Sequence, residues 1–141
     1  MKFEKRILTA VVLSLMATAG LFAVPRIAAD SSDDAKHEIT AQELKQRLDK
    51  GEKVVILDAR HDLNGQIIKS ALHVPMDQLE AWAKSVDKKT VIVTYCTCPH
   101  DEAAEAEVKS LQDWGFQNAY SLKGGMNAAR TAGLEIVAPT E

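Results

Sequence analysis

The chain has 141 residues, of which 46% are hydrophobic and 26% are charged, and its formal net charge is −3 at pH 7. This length suits one small domain. Beyond residue 29 there are 13 Lys and Arg against 19 Asp and Glu. An acidic balance argues against nucleic acid as a partner, because nucleic-acid binding needs a basic surface. Two cysteines are too few for a disulfide scaffold.

Residues 1–29 have the organisation of an export segment. Basic residues at positions 2, 5 and 6 precede an apolar run of 18 residues from Ile7 to Val24. A basic start, an apolar middle and small residues at the end predict a secretory signal peptide. The run is also long enough to span a bilayer if it is not cleaved, so an N-terminal membrane anchor through residues 7–24 is the alternative. A buried core helix is the third interpretation. The first two place the rest of the chain outside the cytoplasm, in the periplasm or tethered to the inner membrane.

A polar stretch over residues 30–38 predicts a flexible linker, and we expect the domain to occupy residues 39–138. Within the domain, strand patterns alternate with helix patterns. The predicted strands cover residues 53–58, 71–74, 90–95 and 118–122, and the predicted helices cover residues 40–50, 76–84, 101–114 and 126–132. Strands that alternate with helices indicate an α/β fold, in which helices cover both faces of a central parallel sheet.

Cys96 directly follows the clearest predicted strand, and a helix is expected to begin near Asp101. Open parallel sheets place their sites beyond the carboxyl ends of the strands. Backbone amides of the intervening loop, with the helix N-terminus behind them, would stabilise a thiolate and lower the pKa of the thiol. The sequence therefore predicts that Cys96 is a nucleophile.

Four segments of the domain resemble the rhodanese-like sulfurtransferase family, over about residues 39–138. In chain order they are Ile56-Leu57-Asp58-Ala59-Arg60, then Ser70 to Pro75, then Val91 to Cys96 with its loop, and Trp114-Gly115-Phe116 with Leu122 to Gly125 and Ala132-Gly133. The resemblance implies a single domain with a sheet of about five strands and helices on both sides. It also implies that Cys96 takes a sulfane sulfur from a small donor, becomes a persulfide and passes the sulfur to a thiol acceptor. No cofactor and no metal are expected.

By the same resemblance, Asp58 and Arg60 match the aspartate and arginine of the family's first motif. They are expected to support the site. A structural ion pair or a capping role is favoured over catalysis for both residues.

The loop after Cys96 departs from the family pattern. Its residues are Thr97, Cys98, Pro99, His100, Asp101 and Glu102. Pro99 stands where the family commonly has glycine, Asp101 where it has arginine and Glu102 where it has serine. If the two carboxylates face the pocket, they disfavour a dianion such as thiosulfate; if they cap the helix, they point away. In both cases the departures count against thiosulfate as the natural donor.

Cys98 has three interpretations. It is a resolving thiol that closes on Cys96, a packing residue, or a soft metal ligand together with Cys96 and His100. The metal interpretation is disfavoured, because the motif lacks the second ligand pair of a structural zinc site. Sulfur transfer through Cys96 is the leading function. A binding or sensing module without efficient turnover, and a thiol redox protein that uses both cysteines, are the alternatives.

Overall fold

The computed structural model describes residues 37–63 and 65–139. The predicted signal peptide or anchor over residues 1–29, and most of the predicted linker, lie outside these ranges. Within them, no helix combines the length and the apolar character that crossing a membrane requires.

Strands and helices alternate along the described part of the chain. The strands are β1 (Glu38–Ile39), β2 (Val54–Asp58), β3 (Ile67–Ile68), β4 (Leu72–His73), β5 (Val91–Tyr95), β6 (Ala119–Leu122) and β7 (Ile136–Val137). The helices are α1 (Ala41–Asp49), α2 (Met76–Ala83), α3 (Glu102–Asp113) and α4 (Gly125–Thr131). Every predicted element is present, and each end lies within one residue of its predicted position. The two-residue strands β1, β3 and β7 have no counterpart among the predicted elements.

Five of the strands form one parallel sheet in the order β1-β6-β5-β2-β4. The central strands β2 and β5 pair along their whole length, from Val54 opposite Val91 to Asp58 opposite Tyr95. The remaining strands, β3 and β7, form a separate antiparallel pair. Since β2 and β5 are parallel and in register, their carboxyl ends lie side by side at one edge of the sheet.

Helices cover both faces of this sheet, which confirms the predicted α/β architecture. On one face, α1 and α4 contribute to the cluster that buries Ile56 and Val93. On the other face, α2 and α3 contribute to the cluster that buries Leu57 and Ile92. Successive residues of a strand point to opposite faces, so a nearly continuous apolar run supplies both clusters. Each fully buried aliphatic side chain of this kind stabilises the fold by about 1.5–3 kcal/mol.

Candidate active site

A cleft of about 1070 Å³ opens where β2 and β5 end. The loop after β2, the start of α2, the loop after β5 and residues of α3 and α4 form its walls. Three basic side chains (Arg60, His61 and Arg130) and two acidic ones (Asp62 and Asp77) line it, together with methionine, proline and alanine side chains. Such a mixture of apolar wall and a few polar groups is typical of a small-molecule site.

Cys96 lies behind this cleft, directly after β5, and is 0% exposed. Its side chain packs with Ala59 and Ala104, and Cys98 and Ala103 pack against the same cluster. Both Cys98 and Ala103 also line the cleft, so the cluster that contains Cys96 borders it. The amide of Cys98 donates a hydrogen bond to Cys96 Sγ over 3.3 Å. The backbone of Ala104, at the start of α3, also favours the thiolate, as expected for a loop that leads into a helix.

Burial nevertheless raises the pKa of the Cys96 thiol to about 11, and a hydrogen bond with the Cys98 side chain adds to the rise. The amides of Cys98 and Ala104 act in the opposite direction but do not offset it. The expectation of a lowered pKa is therefore wrong for the unmodified protein. Withdrawing the thiolate from water raises the pKa of the thiol by more than the two backbone amides lower it.

Two glycines hold the backbone of Cys96 in place. Gly125 at the start of α4 approaches so closely that a Cβ on it would lie 2.2 Å from the Cys96 carbonyl oxygen. Its φ is +48°, and that of Gly124 is +75°, which glycine adopts without strain. The same carbonyl oxygen accepts a hydrogen bond from the Met126 amide over 3.1 Å. The start of α4 thus fixes the position of the nucleophile's main chain.

Asp101 ties the loop to the same glycines. Its Oδ2 accepts a hydrogen bond from the Gly124 amide over 2.7 Å. Asp101 directly precedes α3, yet its side chain makes no capping hydrogen bond, and it does not line the cleft. The structure therefore contradicts both expectations for this carboxylate, a helix cap and an acid that faces the pocket. It joins the loop after β5 to the start of α4.

The other predicted loop residues separate into two groups. Thr97 and Cys98 line the cleft, whereas Pro99 and His100 are exposed and do not. Glu102 is exposed in the first turn of α3 and lines a different groove. The predicted acidic mouth is therefore not formed. Among the described residues, no group of three or more His, Cys, Asp or Glu is placed to hold a metal ion.

Asp58 ends β2 and is fully buried, with both of its carboxylate oxygens bonded. Arg60 Nε donates to Oδ1 over 2.8 Å and to Oδ2 over 3.0 Å, and Tyr95 Oη donates to Oδ2 over 2.9 Å. Tyr95 Oη also accepts from the Ile68 amide over 3.2 Å. Asp58 and Arg60 thus form the structural ion pair that the sequence favoured. Arg60 also lines the cleft and donates to the Gln66 carbonyl oxygen over 3.0 Å.

Comparison with known proteins identifies the family to which the chain belongs. The model of the Rhodanese-like domain family matches residues 40–132. The chain belongs to the rhodanese-like domain family. It is 31% identical over 74 residues to a protein named thiosulfate sulfurtransferase GlpE from Coxiella burnetii, which spans 51% of this chain and 67% of that protein. It is 30% identical over 105 residues to a sulfurtransferase from Allochromatium vinosum, which spans 73% of this chain and 96% of that one.

Solved structures agree with this assignment. The crystal structure of the Alr3790 protein from Anabaena sp. superposes with a TM-score of 0.64 at 30% identity and covers 73% of this chain and 94% of that one. The solution structure of its rhodanese-like domain gives the same TM-score at 29% identity and covers 73% of this chain and 80% of that one. The sheet order and the helices of this chain are therefore those of a rhodanese-like domain.

Several residues that line the cleft of this rhodanese-like domain were not among the sequence predictions for its site, and Arg130 is one of them. Arg130, near the end of α4, lines the cleft and donates to Gln66 Oε1 over 3.1 Å. Only the folded chain brings α4 beside the loop after β2, so no local pattern could have singled out this arginine.

Glu107 in α3 is a further residue that was absent from the sequence predictions. It is 0% exposed, and neither of its carboxylate oxygens has a hydrogen-bond partner among residues 37–63 and 65–139. Burial, with a smaller contribution from the charge of Asp58, raises its pKa to about 8. The sequence did contain a sign of this burial, because position 107 lies on the same helix face as the predicted apolar residues Ala104, Val108 and Leu111.

Proposed function

We propose that this rhodanese-like domain is a sulfurtransferase that carries sulfane sulfur as a persulfide on Cys96. The observation that carries the proposal is the position of Cys96 at the carboxyl end of β5, where the Cys98 amide donates to its sulfur beside a cleft that Arg60 and Arg130 line. Relatives that are named sulfurtransferases support it.

The proposed reaction has two displacements. The Cys96 thiolate attacks the sulfane sulfur of a donor such as thiosulfate, the S–S bond of the donor breaks, and sulfite leaves with the electron pair. A thiolate acceptor then takes the terminal sulfur, and the Cys96 thiolate is released. Because the pKa of the free thiol is about 11, few chains carry the thiolate at neutral pH, and the loading rate should rise with pH.

The lining of the cleft supports an anionic donor. Asp101 and Glu102, whose charges counted against thiosulfate, do not line it. Arg60 and Arg130 do. A guanidinium binds oxyanions through several donors at once, and because the Arg60 guanidinium is already paired with the Asp58 carboxylate, Arg130 is the expected anion-binding group. Asp62 and Asp77 also contribute to the wall, so a singly charged donor is expected to load at least as readily as a dianion.

Intact-mass measurement after incubation with thiosulfate tests the proposal. Cys98→Ser should gain one sulfur, wild type should gain one before any onward reaction of its persulfide, and Cys96→Ser should gain none. A sulfur gained by Cys96→Ser would move the nucleophile to Cys98. If neither thiosulfate nor inorganic polysulfide loads any of the three proteins, sulfur transfer is wrong and a binding or sensing module remains.

We also propose that the domain works outside the cytoplasm. The basis is the basic start and the apolar run from Ile7 to Val24. A reporter fused after Glu141 tests it by fractionation. Activity confined to the cytoplasm would contradict export, and retention in the membrane fraction would distinguish an anchor from a cleaved signal.

A further inference from the structure

We infer that Cys98 is a second reactive thiol, which discharges the Cys96 persulfide as hydrogen sulfide and leaves a Cys96–Cys98 disulfide. The inference rests on the proposed function, because it begins from the sulfur-loaded state. It assigns a role to a residue that the sulfurtransferase mechanism outlined above does not need.

The contacts of Cys98 point to the inner sulfur of that persulfide. Its amide nitrogen lies 3.3 Å from Cys96 Sγ, and its side chain packs against the small buried cluster that contains Cys96. Cys96 Sγ is the atom that stays bonded to Cβ when a second sulfur is added beyond it. The thiol of Cys98 is therefore already next to the atom that it must attack.

The exposure of the two cysteines to the cleft also favours a reactive role for Cys98. Cys98 is half-buried and lines the cleft, whereas Cys96 is fully buried and does not. A thiol acceptor that enters the cleft therefore meets Cys98 before it meets Cys96. Both cysteines are free thiols in the structure, and the chain contains no others, so neither has another partner within the chain. A neighbouring thiol held in place competes strongly with one that arrives from solution.

The step balances without an added oxidant. The Cys98 thiolate attacks Cys96 Sγ, a bond forms between the two cysteine sulfurs, and the bond from Cys96 Sγ to the terminal sulfur breaks. The terminal sulfur leaves as HS⁻ with the electron pair and takes up the proton that Cys98 lost. The sulfane sulfur is reduced by two electrons, and the two cysteines are oxidised to the disulfide. An external dithiol then restores both thiols by thiol–disulfide exchange.

This chemistry requires one reaction that supplies the sulfur donor and another that reduces the disulfide. A reaction that produces a sulfane sulfur compound must supply the donor, and a dithiol reductant must regenerate the protein. One sulfide is released for each dithiol oxidised, whereas transfer to an external thiol would release none.

The test uses the full chain, reduced, freed of small thiols and handled without oxygen, with thiosulfate and inorganic polysulfide as separate donors. The readouts are released sulfide, intact mass and labelling of free thiols. Wild type should release one sulfide per chain, lose both free thiols and stop until dithiothreitol is added. Cys98→Ser should keep the added sulfur, release no sulfide and hold its persulfide on the order of tenfold longer or more. Unloaded wild type under the same conditions should keep both thiols.

Three results would overturn the inference and leave the proposed function intact. The first is a wild-type persulfide as long-lived as that of Cys98→Ser, with Cys98 still free to label. The second is the added sulfur on Cys98, which would indicate a relay between the thiols. The third is disulfide formation in the unloaded protein at the same rate. Failure of Cys98→Ser and wild type alike to accept sulfur would instead contradict the proposed function.

Discussion

The loops that follow β2 and β5 border the same cleft, yet different interactions hold them. After β2, the buried Asp58 carboxylate accepts hydrogen bonds from Arg60 and from Tyr95. A buried ion pair between Asp58 and Arg60 thus holds that loop. After β5, the loop is held by the close approach of Gly125 to the Cys96 main chain and by the hydrogen bond from the Gly124 amide to the Asp101 carboxylate.

The ionisable groups on the β5 side are buried without such pairing. Within the described part of the chain, the polar groups that act on Cys96 are backbone amides and a second thiol, and the Glu107 carboxylate has no hydrogen-bond partner. Burial raises the pKa of both, to about 11 for Cys96 and about 8 for Glu107. The ionisable groups on the β2 and β5 sides are buried alike but differ in their interaction partners. Burial disfavours the charged form of a group unless an opposite charge or enough hydrogen-bond donors offset the loss of water.

The largest effect should follow from removing the charge on the β2 side. Asp58→Ala leaves the Arg60 guanidinium without its buried carboxylate and Tyr95 Oη without its acceptor. We expect the free energy of unfolding in urea to fall by about 3–5 kcal/mol. Asp49→Ala, which breaks an exposed pair with Lys45 at 2.7 Å, is the control and should cost no more than about 0.5 kcal/mol. Equal losses in the two variants would show that the buried pair is not what holds the first loop.

A pH-dependent effect is expected from Glu107. The folded chain keeps a proton on this side chain up to a pH of about 8, whereas the unfolded chain releases it near 4.5. The contribution of Glu107 to the free energy of unfolding is fully present below pH 4.5, and it is lost as the pH rises through about 8. Between them, the free energy of unfolding should fall by up to about 1.4 kcal/mol per pH unit.

Glu107→Gln should flatten this slope, because its amide does not ionise. Asp113→Asn, at an exposed position in the same helix, serves as the control and should keep the wild-type slope. Urea denaturation at pH 5, 7 and 9 measures all three proteins. A slope that is the same in Glu107→Gln and wild type would mean that Glu107 does not titrate in this range.

A smaller loss of stability with a large loss of activity is expected from Gly125→Ala. Gly133→Ala is the matched control, because its φ is also positive, +77°, and an added Cβ there meets no atom of the described residues within 4 Å. Both variants should lose about 1–2 kcal/mol for the left-handed backbone, and Gly125→Ala should lose more than the control because its Cβ must displace a main-chain oxygen. Only Gly125→Ala should displace the Cys96 carbonyl, and its loading rate should fall on the order of tenfold or more. Similar loading rates would mean that the contact does not position the nucleophile.

The smallest effect should come from Asp101. Asp101→Ala removes the acceptor of the Gly124 amide and should cost about 1 kcal/mol, whereas Asp101→Asn keeps an oxygen acceptor and should cost less. Because Asp101 does not line the cleft, thiosulfate loading should respond to salt as it does in wild type. A faster loading rate that declines as salt rises would instead show that this carboxylate repels the donor.

The elements were predictable because their signals are local. Thr40 and Glu43 predict a capping box, and in the structure each side chain accepts a hydrogen bond from the other's amide. The strands β1, β3 and β7 are too short for a periodicity of their own. They exist because of distant partners, as the pairing of Ile67 with Val137 shows.

The same distinction applies to the site. The place of Cys96 at a strand end and the pairing of Asp58 with Arg60 are both visible in short stretches of sequence. The role of Asp101 is not, because its partner Gly124 lies 23 residues away. Nor are the raised pKa values of Cys96 and Glu107. Each depends on how completely packing excludes water and opposite charges from the group, and packing is a property of the folded chain.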